Sequence, residues 1–192
     1  MKIVYLLGKS ASGKDTVYHV LKEDETLGLQ KIVIYTTRPM RDGEKQGEQY
    51  HFISMEQAKE LEEEGKVIES RTYQSVYGPW IYMTVNDGQF AADGRYLMIG
   101  TLESYNKMKA YFGEECMIPV YLEVDEGLRL ERAMARERTQ KVPKYAEMCR
   151  RFLADEADFT EEKLQEAGIG VRFDNGNLET CLEEIRRYLG GK

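Results

Sequence analysis

The sequence predicts an α/β protein built on a parallel sheet, and three observations support this fold class. A short apolar strand opens the chain and runs directly into a glycine-containing loop and a helix. Strand-like and helix-like segments then alternate, which is the pattern of βαβ units. Between residues 36 and 84 the rhythm changes to short strands around a single helix, so this stretch is predicted to be an inserted, partly antiparallel subdomain.

The first strand, Lys2–Leu7, leads into a loop in which two glycines and a lysine have the spacing Gly-x4-Gly-Lys. Such a loop lets backbone N–H groups converge on phosphate oxygens, while the lysine and the start of the next helix add positive charge. The helix is predicted to run to about Lys22. The sequence thus predicts a polyphosphate site formed by Gly8, Ser10, Ser12, Gly13, Lys14, Asp15 and Thr16.

Asp15 stands where such loops usually carry a serine or threonine that contacts Mg²⁺. A carboxylate is also a good ligand for a hard cation, so Asp15 is a candidate metal ligand. The alternative interpretation is that Asp15 is a first-turn helix residue, which the helix dipole favours at that position. Both interpretations are open at the level of the sequence.

The remaining elements follow from periodicity, turn residues and helix caps. A second strand is predicted at Lys31–Tyr35, and Ser54 with Gln57 forms a capping box that starts a helix within the insert. Short strands flank that helix at Gln49–Ile53, Lys66–Tyr73 and Val76–Thr84. The later elements are, in order, the strand Arg95–Ile99, the helix Leu102–Tyr111, the strand Met117–Val124, a helix from Asp125 to about Glu137, a long helix from Pro143 to about Ala167, the strand Ile169–Phe173 and the helix Leu178–Leu189.

Composition narrows the class of protein. A length of 192 residues suggests one domain, and a net charge of −7 argues against general nucleic-acid binding. No run approaches the ~20 apolar residues of a membrane span, and no signal segment is recognisable. Three cysteines without metal-ligand spacing are expected to be reduced, which predicts a cytoplasmic protein. Basic residues concentrate between Arg129 and Arg151, which indicates a local anionic ligand.

A second motif spans Thr36–Phe52 and places Arg38 and Arg41 beside a glycine turn and ahead of Tyr50. Arginine binds phosphate oxygens in pairs through its planar guanidinium group. The segment is therefore a candidate clamp for a second phosphate group. Taken alone, it is also compatible with a solvated, charged hairpin.

Together, the phosphate loop and Thr36–Phe52 closely resemble the guanylate kinase family, whose Thr-Thr-Arg, Gly-Glu and Tyr-x-Phe motifs recur here. The segment Val67–Glu69 is similar to the family's Phe-Ile-Glu, and Tyr77-Gly78 to its Tyr-Gly. The resemblance implies a three-layer P-loop NTPase fold with a parallel sheet, an inserted small nucleotide-binding subdomain and a helical lid. One guanylate-kinase-like domain, 1–192, would then divide into a core (1–35, 85–125 and 160–192), an acceptor-binding subdomain (about 36–84) and a lid (about 126–159).

The resemblance also implies ATP-dependent phosphoryl transfer, with Mg²⁺, to a nucleoside monophosphate, most simply GMP or dGMP. It implies catalytic roles for Lys14, Arg132, Arg136 and Arg151, the last three belonging to the lid. Acceptor binding is implied for Arg38, Arg41, Glu44, Tyr50, Glu69 and Tyr77, with Glu69 contacting the N–H donors of guanine. The expected partners are small-molecule nucleotides, not nucleic acid or a membrane, and the chain is expected to be a monomer or a homodimer.

Three positions depart from the family pattern. Ile34 (or Tyr35) and Pro79 stand where small hydroxyl residues serve guanine O6, and Gly100 stands where the family commonly has an aspartate. An unpaired O6 would cost ~1–3 kcal/mol. A kinase of the same fold for another phosphorylated acceptor, with a different base or a ribose phosphate, is therefore the second hypothesis. The third is a non-catalytic guanylate-kinase-like binding module, although the glycines and lysine of the loop are intact.

Overall fold

The apolar strand that opens the chain becomes the centre of a parallel sheet. The computed structural model describes residues 1–75 and 78–192. Its strands are β1 (Lys2–Gly8), β2 (Gln30–Lys31), β3 (Tyr35–Thr36), β4 (His51–Phe52), β5 (Val67–Ser75), β6 (Gly78–Val85), β7 (Arg95–Ile99), β8 (Met117–Glu123) and β9 (Arg172–Asp174). Its α-helices are α1 (Lys14–Lys22), α2 (Met55–Glu63), α3 (Leu102–Phe112), α4 (Glu126–Arg138), α5 (Tyr145–Asp158), α6 (Glu161–Glu166) and α7 (Leu178–Gly190).

The large sheet has the strand order β2-β7-β1-β8-β9, and every described pairing in it is parallel. Successive side chains of β1 point to opposite faces, so Ile3, Tyr5 and Leu7 enter one buried cluster and Val4 and Leu6 enter another. Helices cover both faces, which explains why β1 is a continuous apolar run. The predicted three-layer α/β fold is thereby confirmed.

The small sheet has the order β4-β3-β6-β5 and is formed by the insert. β6 pairs antiparallel with β3 and β5, whereas β3 and β4 are parallel. The predicted partly antiparallel character is therefore confirmed, and so is the capping box of Ser54 and Gln57 at the start of α2. No helix among the described residues combines the length and apolar character needed to cross a membrane.

Two predicted elements are wrong in a way that has a physical cause. The single strand expected at Lys31–Tyr35 divides into β2, which pairs in the large sheet, and β3, which pairs in the small sheet, because the chain crosses between the sheets here. The long helix expected from Pro143 divides into α5 and α6. The break occurs because the Thr160 side chain accepts a hydrogen bond from the Lys163 N–H and caps a new helix.

Candidate functional site

Both glycines of the phosphate loop are required by their surroundings. Gly8 ends β1 with φ +147°, and a Cβ there would lie 2.7 Å from the Leu122 carbonyl oxygen. Gly13 has φ +89°, and a Cβ there would collide with the side-chain amide of Asn175. That amide donates to the carbonyl of Ser12 at 2.8 Å and so braces the loop. The loop conformation thus depends on glycine at both positions.

The side chain of Lys14 folds back over the loop. Its Nζ donates to the carbonyl oxygens of Gly8 at 2.6 Å and Lys9 at 2.9 Å. Burial lowers the pKa of Lys14 below the usual lysine value, and the nearby carboxylates of Asp15 and Asp155 act against that shift. The ammonium group is therefore held in the loop by neutral carbonyl groups, and a phosphate would be a stronger partner.

A carboxylate from α5 reaches the anion-binding side of the loop. Asp155 Oδ2 accepts a hydrogen bond from the Ser10 N–H at 2.8 Å and another from the Arg129 guanidinium at 3.2 Å. The Arg129 side chain is 1 % exposed and also bonds Glu126 at 2.6 Å and Glu156 at 2.5 Å. The sequence analysis missed Asp155, because no local pattern links it to a serine that lies 145 residues away.

Two of the predicted lid arginines lie on one face of α4. Arg132 donates to the carbonyl oxygens of Asn175 at 2.9 Å and Gly176 at 3.2 Å, and so ties α4 to the segment after β9. Arg136 is exposed one turn further on, and its charge acts to lower the pKa of Lys14. Arg136 is thus the exposed member of the pair, and it is near enough to the loop for its charge to act on Lys14.

The third predicted lid arginine, Arg151, lies on α5 beside the insert. Its Nε donates to Glu147 at 2.8 Å, and a terminal nitrogen lies 3.5 Å from the hydroxyl of Tyr73 on β5. Hydrogen bonds from Arg150, which has the larger effect, and from Arg151 lower the pKa of Glu147 to about 2. The structure therefore places Arg151 at the junction of α5 with the insert and pairs it with an ionised carboxylate.

The two arginines of the second motif have different surroundings. Arg38 is buried and forms a bidentate pair with Glu44, with N–O distances of 2.8 and 3.0 Å. Its guanidinium carbon lies 5.3 Å from the ring centre of Tyr50 and 5.4 Å from that of Phe52. Arg41 is exposed, and within residues 1–75 and 78–192 its guanidinium forms no ion pair. Glu44 thus orders the motif, while Arg41 is the arginine accessible to a ligand.

The predicted base-reading carboxylate lies on β5 and is fully buried. Glu69 Oε1 accepts a hydrogen bond from the Thr84 hydroxyl at 2.8 Å, and Oε2 lies 3.2 Å from Arg71 Nε. Arg71 was missed by the sequence analysis, although side chains two apart on a strand share a face. Tyr77, the remaining predicted acceptor residue, lies outside the described residues.

The positions that depart from the family pattern have distinct environments. A Cβ at Gly100 would collide with the hydroxyl of Tyr5, which donates to Ser104 Oγ at 2.6 Å. Burial raises the pKa of Tyr5 to about 12, so the phenol is neutral. A buried phenol therefore occupies the space into which a side chain at position 100 would point. Pro79 is exposed in the β5–β6 pairing, opposite Gln74.

One cavity of about 880 Å³ joins the phosphate loop to the insert. A volume of this size is typical of small-molecule sites. The loop contributes Gly8, Ser10, Lys14 and Asp15, and the insert contributes Ile34, Tyr50, Arg71, Thr72, Tyr73 and Tyr82. A second cavity of about 500 Å³ shares the loop through Lys9 and Ser12 and has Arg129 in its wall. The loop is therefore accessible from two cavities.

Asp15 is exposed and lines the larger cavity, and Thr16 beside it is also exposed. Among the described residues, no group of three or more histidine, cysteine or acidic side chains is arranged to hold a metal ion. A hard cation at Asp15 would therefore take most of its ligands from phosphate oxygens and water. That division of ligands is usual for Mg²⁺, which is commonly bound by one or two carboxylates and a substrate's phosphates.

The buried strand, the glycine loop and the helix that follows it define a P-loop protein with an inserted second sheet. Residues 1–89 match the model of the guanylate kinase family. A guanylate kinase of Porphyromonas gingivalis is 24 % identical and aligns with 98 % of this chain and 96 % of its own. A guanylate kinase of Salinibacter ruber is 27 % identical, and the alignment covers 97 % of this chain and 96 % of that one.

The fold has a counterpart among solved structures. The guanylate kinase of Anaplasma phagocytophilum superposes with a TM-score of 0.59 at 21 % identity, over 99 % of this chain and 85 % of that one. The P-loop NTPase fold is therefore confirmed. So is the resemblance to the guanylate kinase family that the loop and the Thr36–Phe52 motif predicted.

Proposed function

We propose that this chain transfers the γ-phosphoryl group of ATP to a nucleoside monophosphate, with GMP or dGMP as acceptor and GDP or dGDP as product. The observation that carries the proposal is the single cavity bounded on one side by the phosphate loop and on the other by the insert. Phosphoryl transfer requires alignment of donor and acceptor and neutralisation of charge more than it requires covalent chemistry. A cavity with a phosphate loop at one end and arginines and tyrosines at the other meets both requirements.

The donor phosphates would be bound by the loop, through Gly8, Ser10, Ser12, Gly13, Lys14 and Thr16. Lys14 would exchange its carbonyl partners for phosphate oxygens, and Asp155 would release the Ser10 N–H. When bound with ATP, Mg²⁺ neutralises phosphate charge, and Asp15 is the residue we propose to hold it. The loop amides and Lys14 would orient the phosphates, because the loop joins the carboxyl end of β1 to the start of α1, where helix N–H groups favour an anion.

The acceptor phosphate would be bound by Arg41 and Tyr50, with Tyr77 beside them and Glu44 holding Arg38 in place. Arg41 supports this role because it is exposed and its guanidinium has no ion pair within the described parts of the chain, 1–75 and 78–192. Arg38 contributes its charge from a buried position beside the rings of Tyr50 and Phe52. Glu69 would face the base from the floor of the insert.

The lid, proposed as about residues 126–159, would bring Arg132, Arg136 and Arg151 to the transferring group. In the structure these arginines bond to carbonyl groups or to Glu147, or are exposed. Closure would exchange those partners for phosphate oxygens and exclude water from the cavity. The core (1–35, 85–125 and 160–192) and the acceptor subdomain (about 36–84) would remain the two walls. We further propose that the protein works in the cytoplasm, as a monomer or a homodimer.

A second candidate function is phosphorylation of another phosphorylated acceptor by the same chemistry. It is favoured by Ile34, which presents an apolar side chain to the cavity, and by Gly100, which has none. A non-catalytic binding module is a third, and tight binding of Mg-ATP with turnover would exclude it.

The test is ADP formation from Mg-ATP with a panel of acceptors: GMP, dGMP, AMP, CMP, UMP and ribose phosphates. Selective turnover of GMP and dGMP supports the proposal. Turnover of a different acceptor alone supports the second candidate. Addition of excess EDTA is expected to abolish activity, and activity that persists in EDTA would contradict the role of Mg²⁺.

A further inference from the structure

Arg71 lies between the buried carboxylate of Glu69 and the large cavity. Its side chain is 20 % exposed and forms part of the cavity wall, whereas the Glu69 side chain is 0 % exposed. The two charges meet through Arg71 Nε and Glu69 Oε2 at 3.2 Å. The other carboxylate oxygen of Glu69 is bonded to Thr84. Among the described residues, Glu69 therefore has a hydrogen bond at Oε1 and only the ion pair at Oε2, and Arg71 is the charged group of the pair that lies in the cavity wall.

The terminal nitrogens of Arg71 are available to the cavity. Within residues 1–75 and 78–192 none of the side-chain hydrogen bonds comes from them, and the only ion pair of Arg71 is made through Nε. The ion pair with Glu69 keeps the guanidinium at this wall, although neither Nε nor Oε2 makes a hydrogen bond in the part of the chain that the structure describes, and the terminal N–H groups can donate in a parallel pair. The base edge that best matches such a donor pair is the O6 and N7 edge of a 6-oxopurine, which arginine binds in this bidentate way.

The rest of the cavity makes this donor pair important. The same cavity is lined by Ile34, which has no polar side-chain atom, and by Tyr50 and Tyr82, whose hydroxyl groups each supply a single donor. At Gly100 there is no side chain, and the Tyr5 hydroxyl that fills the space is bonded to Ser104. A base oxygen that entered the cavity without a donor would be desolvated and unpaired.

We propose that Arg71 is a specificity-determining residue that donates to O6 and N7 of the acceptor base, held in position by Glu69. This inference rests on the proposed function and narrows its acceptor to the 6-oxopurine nucleoside monophosphates. Discrimination between a 6-oxo group and a 6-amino group then depends on Arg71, while Oε2 of Glu69 has no hydrogen bond within the described residues. IMP, which keeps O6 and N7 but lacks the 2-amino group, is an acceptor on this account, whereas AMP presents an amine to Arg71 and is not.

The experiment measures kcat/KM of the full chain with GMP, IMP and AMP at saturating Mg-ATP. For the unmodified protein we expect turnover of GMP and IMP, and a value for AMP that is poorer than that for GMP by roughly 100-fold or more, as for a site built to pair a carbonyl. Arg71→Ala is expected to lower the values for GMP and IMP by roughly tenfold or more each. The value for AMP and the KM for ATP should stay the same.

Arg71→Lys guards against a folding defect, because it keeps a positive charge beside Glu69 but cannot donate in a parallel pair. We expect its melting temperature to match the unmodified protein and its preference for GMP over AMP to fall. Arg186→Ala is the matched control, since Arg186 pairs with Asp24 on the surface and does not line the cavity.

Two results would overturn the inference while leaving the proposed function intact: an unchanged GMP to AMP ratio in both Arg71 variants, or equal losses for all three acceptors. The absence of turnover with every nucleoside monophosphate would instead contradict the proposed function itself.

Discussion

The two sheets of this protein are stabilised in different ways. Among the described residues, the large sheet has a buried cluster of fourteen side chains on each face, whereas the small sheet has a cluster of three, Ala58, Met83 and Val85. The insert also contains two ionic contacts that each include a buried side chain, the Arg38–Glu44 and Arg71–Glu69 pairs. The phosphate loop therefore lies on a large packed core, while the acceptor wall has a small core and polar contacts that a ligand can compete for.

The largest effect is expected at the loop itself. Lys14→Ala should reduce turnover by roughly 10²–10³-fold, because it removes a charge aimed at the phosphates. Stability should change little, because the lost bonds are to carbonyl groups that other loop donors and water can serve. ADP formation and thermal unfolding measure the two quantities. Lys22→Ala, at the other end of α1, is the control, and an equal loss of turnover there would contradict a specific role for Lys14.

Packing can be compared directly with one truncation in each sheet. Leu97→Ala should lower the free energy of unfolding towards the upper end of ~2–5 kcal/mol, because its neighbours on β1 and α1 are fixed. Met83→Ala should cause a loss of unfolding free energy towards the lower end of this range, because the small cluster can relax around the cavity. Denaturant titration measures both, with the exposed Leu153→Ala as control. Equal losses at Leu97 and Met83 would contradict the distinction between the sheets.

The two motif arginines should separate binding from stability. Arg41→Ala should raise the KM for GMP by ~10- to 100-fold, the size of a lost charged hydrogen bond, with the KM for ATP and the melting temperature unchanged. Arg38→Ala should raise the KM for GMP and also lower the melting temperature, because it deprives Glu44 of its bidentate partner. Steady-state kinetics and thermal unfolding test both. Equal effects of Arg41→Ala on the two substrates would contradict its assignment to the acceptor.

Much of the fold could be predicted because its signals are local. The bounds of β7 are those predicted, because an apolar run between turns defines this strand. The start of α2 was predicted from the capping box of Ser54. The break between α5 and α6 also had a local signal, in Thr160 followed by two acidic residues. The division of Lys31–Tyr35 had none, because the strand partner of each half is set by tertiary structure.

The site divides in the same way. The phosphate loop and the Thr36–Phe52 motif, which contains Arg41, are each continuous in the sequence. Both could therefore be recognised from the residue types and their spacing. Arg71 could have been recognised from its spacing to Glu69 on one strand face. The Asp155 contact with Ser10 could not, because it depends on how α5 packs against the loop. Contacts between distant segments are the part that the sequence does not reveal.

The smallest effect is expected at this internal carboxylate. Asp155 competes with phosphate for the Ser10 N–H and the Arg129 guanidinium, so the loop is available only in the fraction of molecules in which it has moved. Asp155→Asn should tighten ATP binding by roughly threefold to tenfold in calorimetric titration, in proportion to that fraction. Arg129 retains its ion pairs with Glu126 and Glu156 in this variant, so the melting temperature without nucleotide should be unchanged. Asp158→Asn removes the same charge one turn away on α5, and equal tightening there would show a general charge effect instead of competition at the loop.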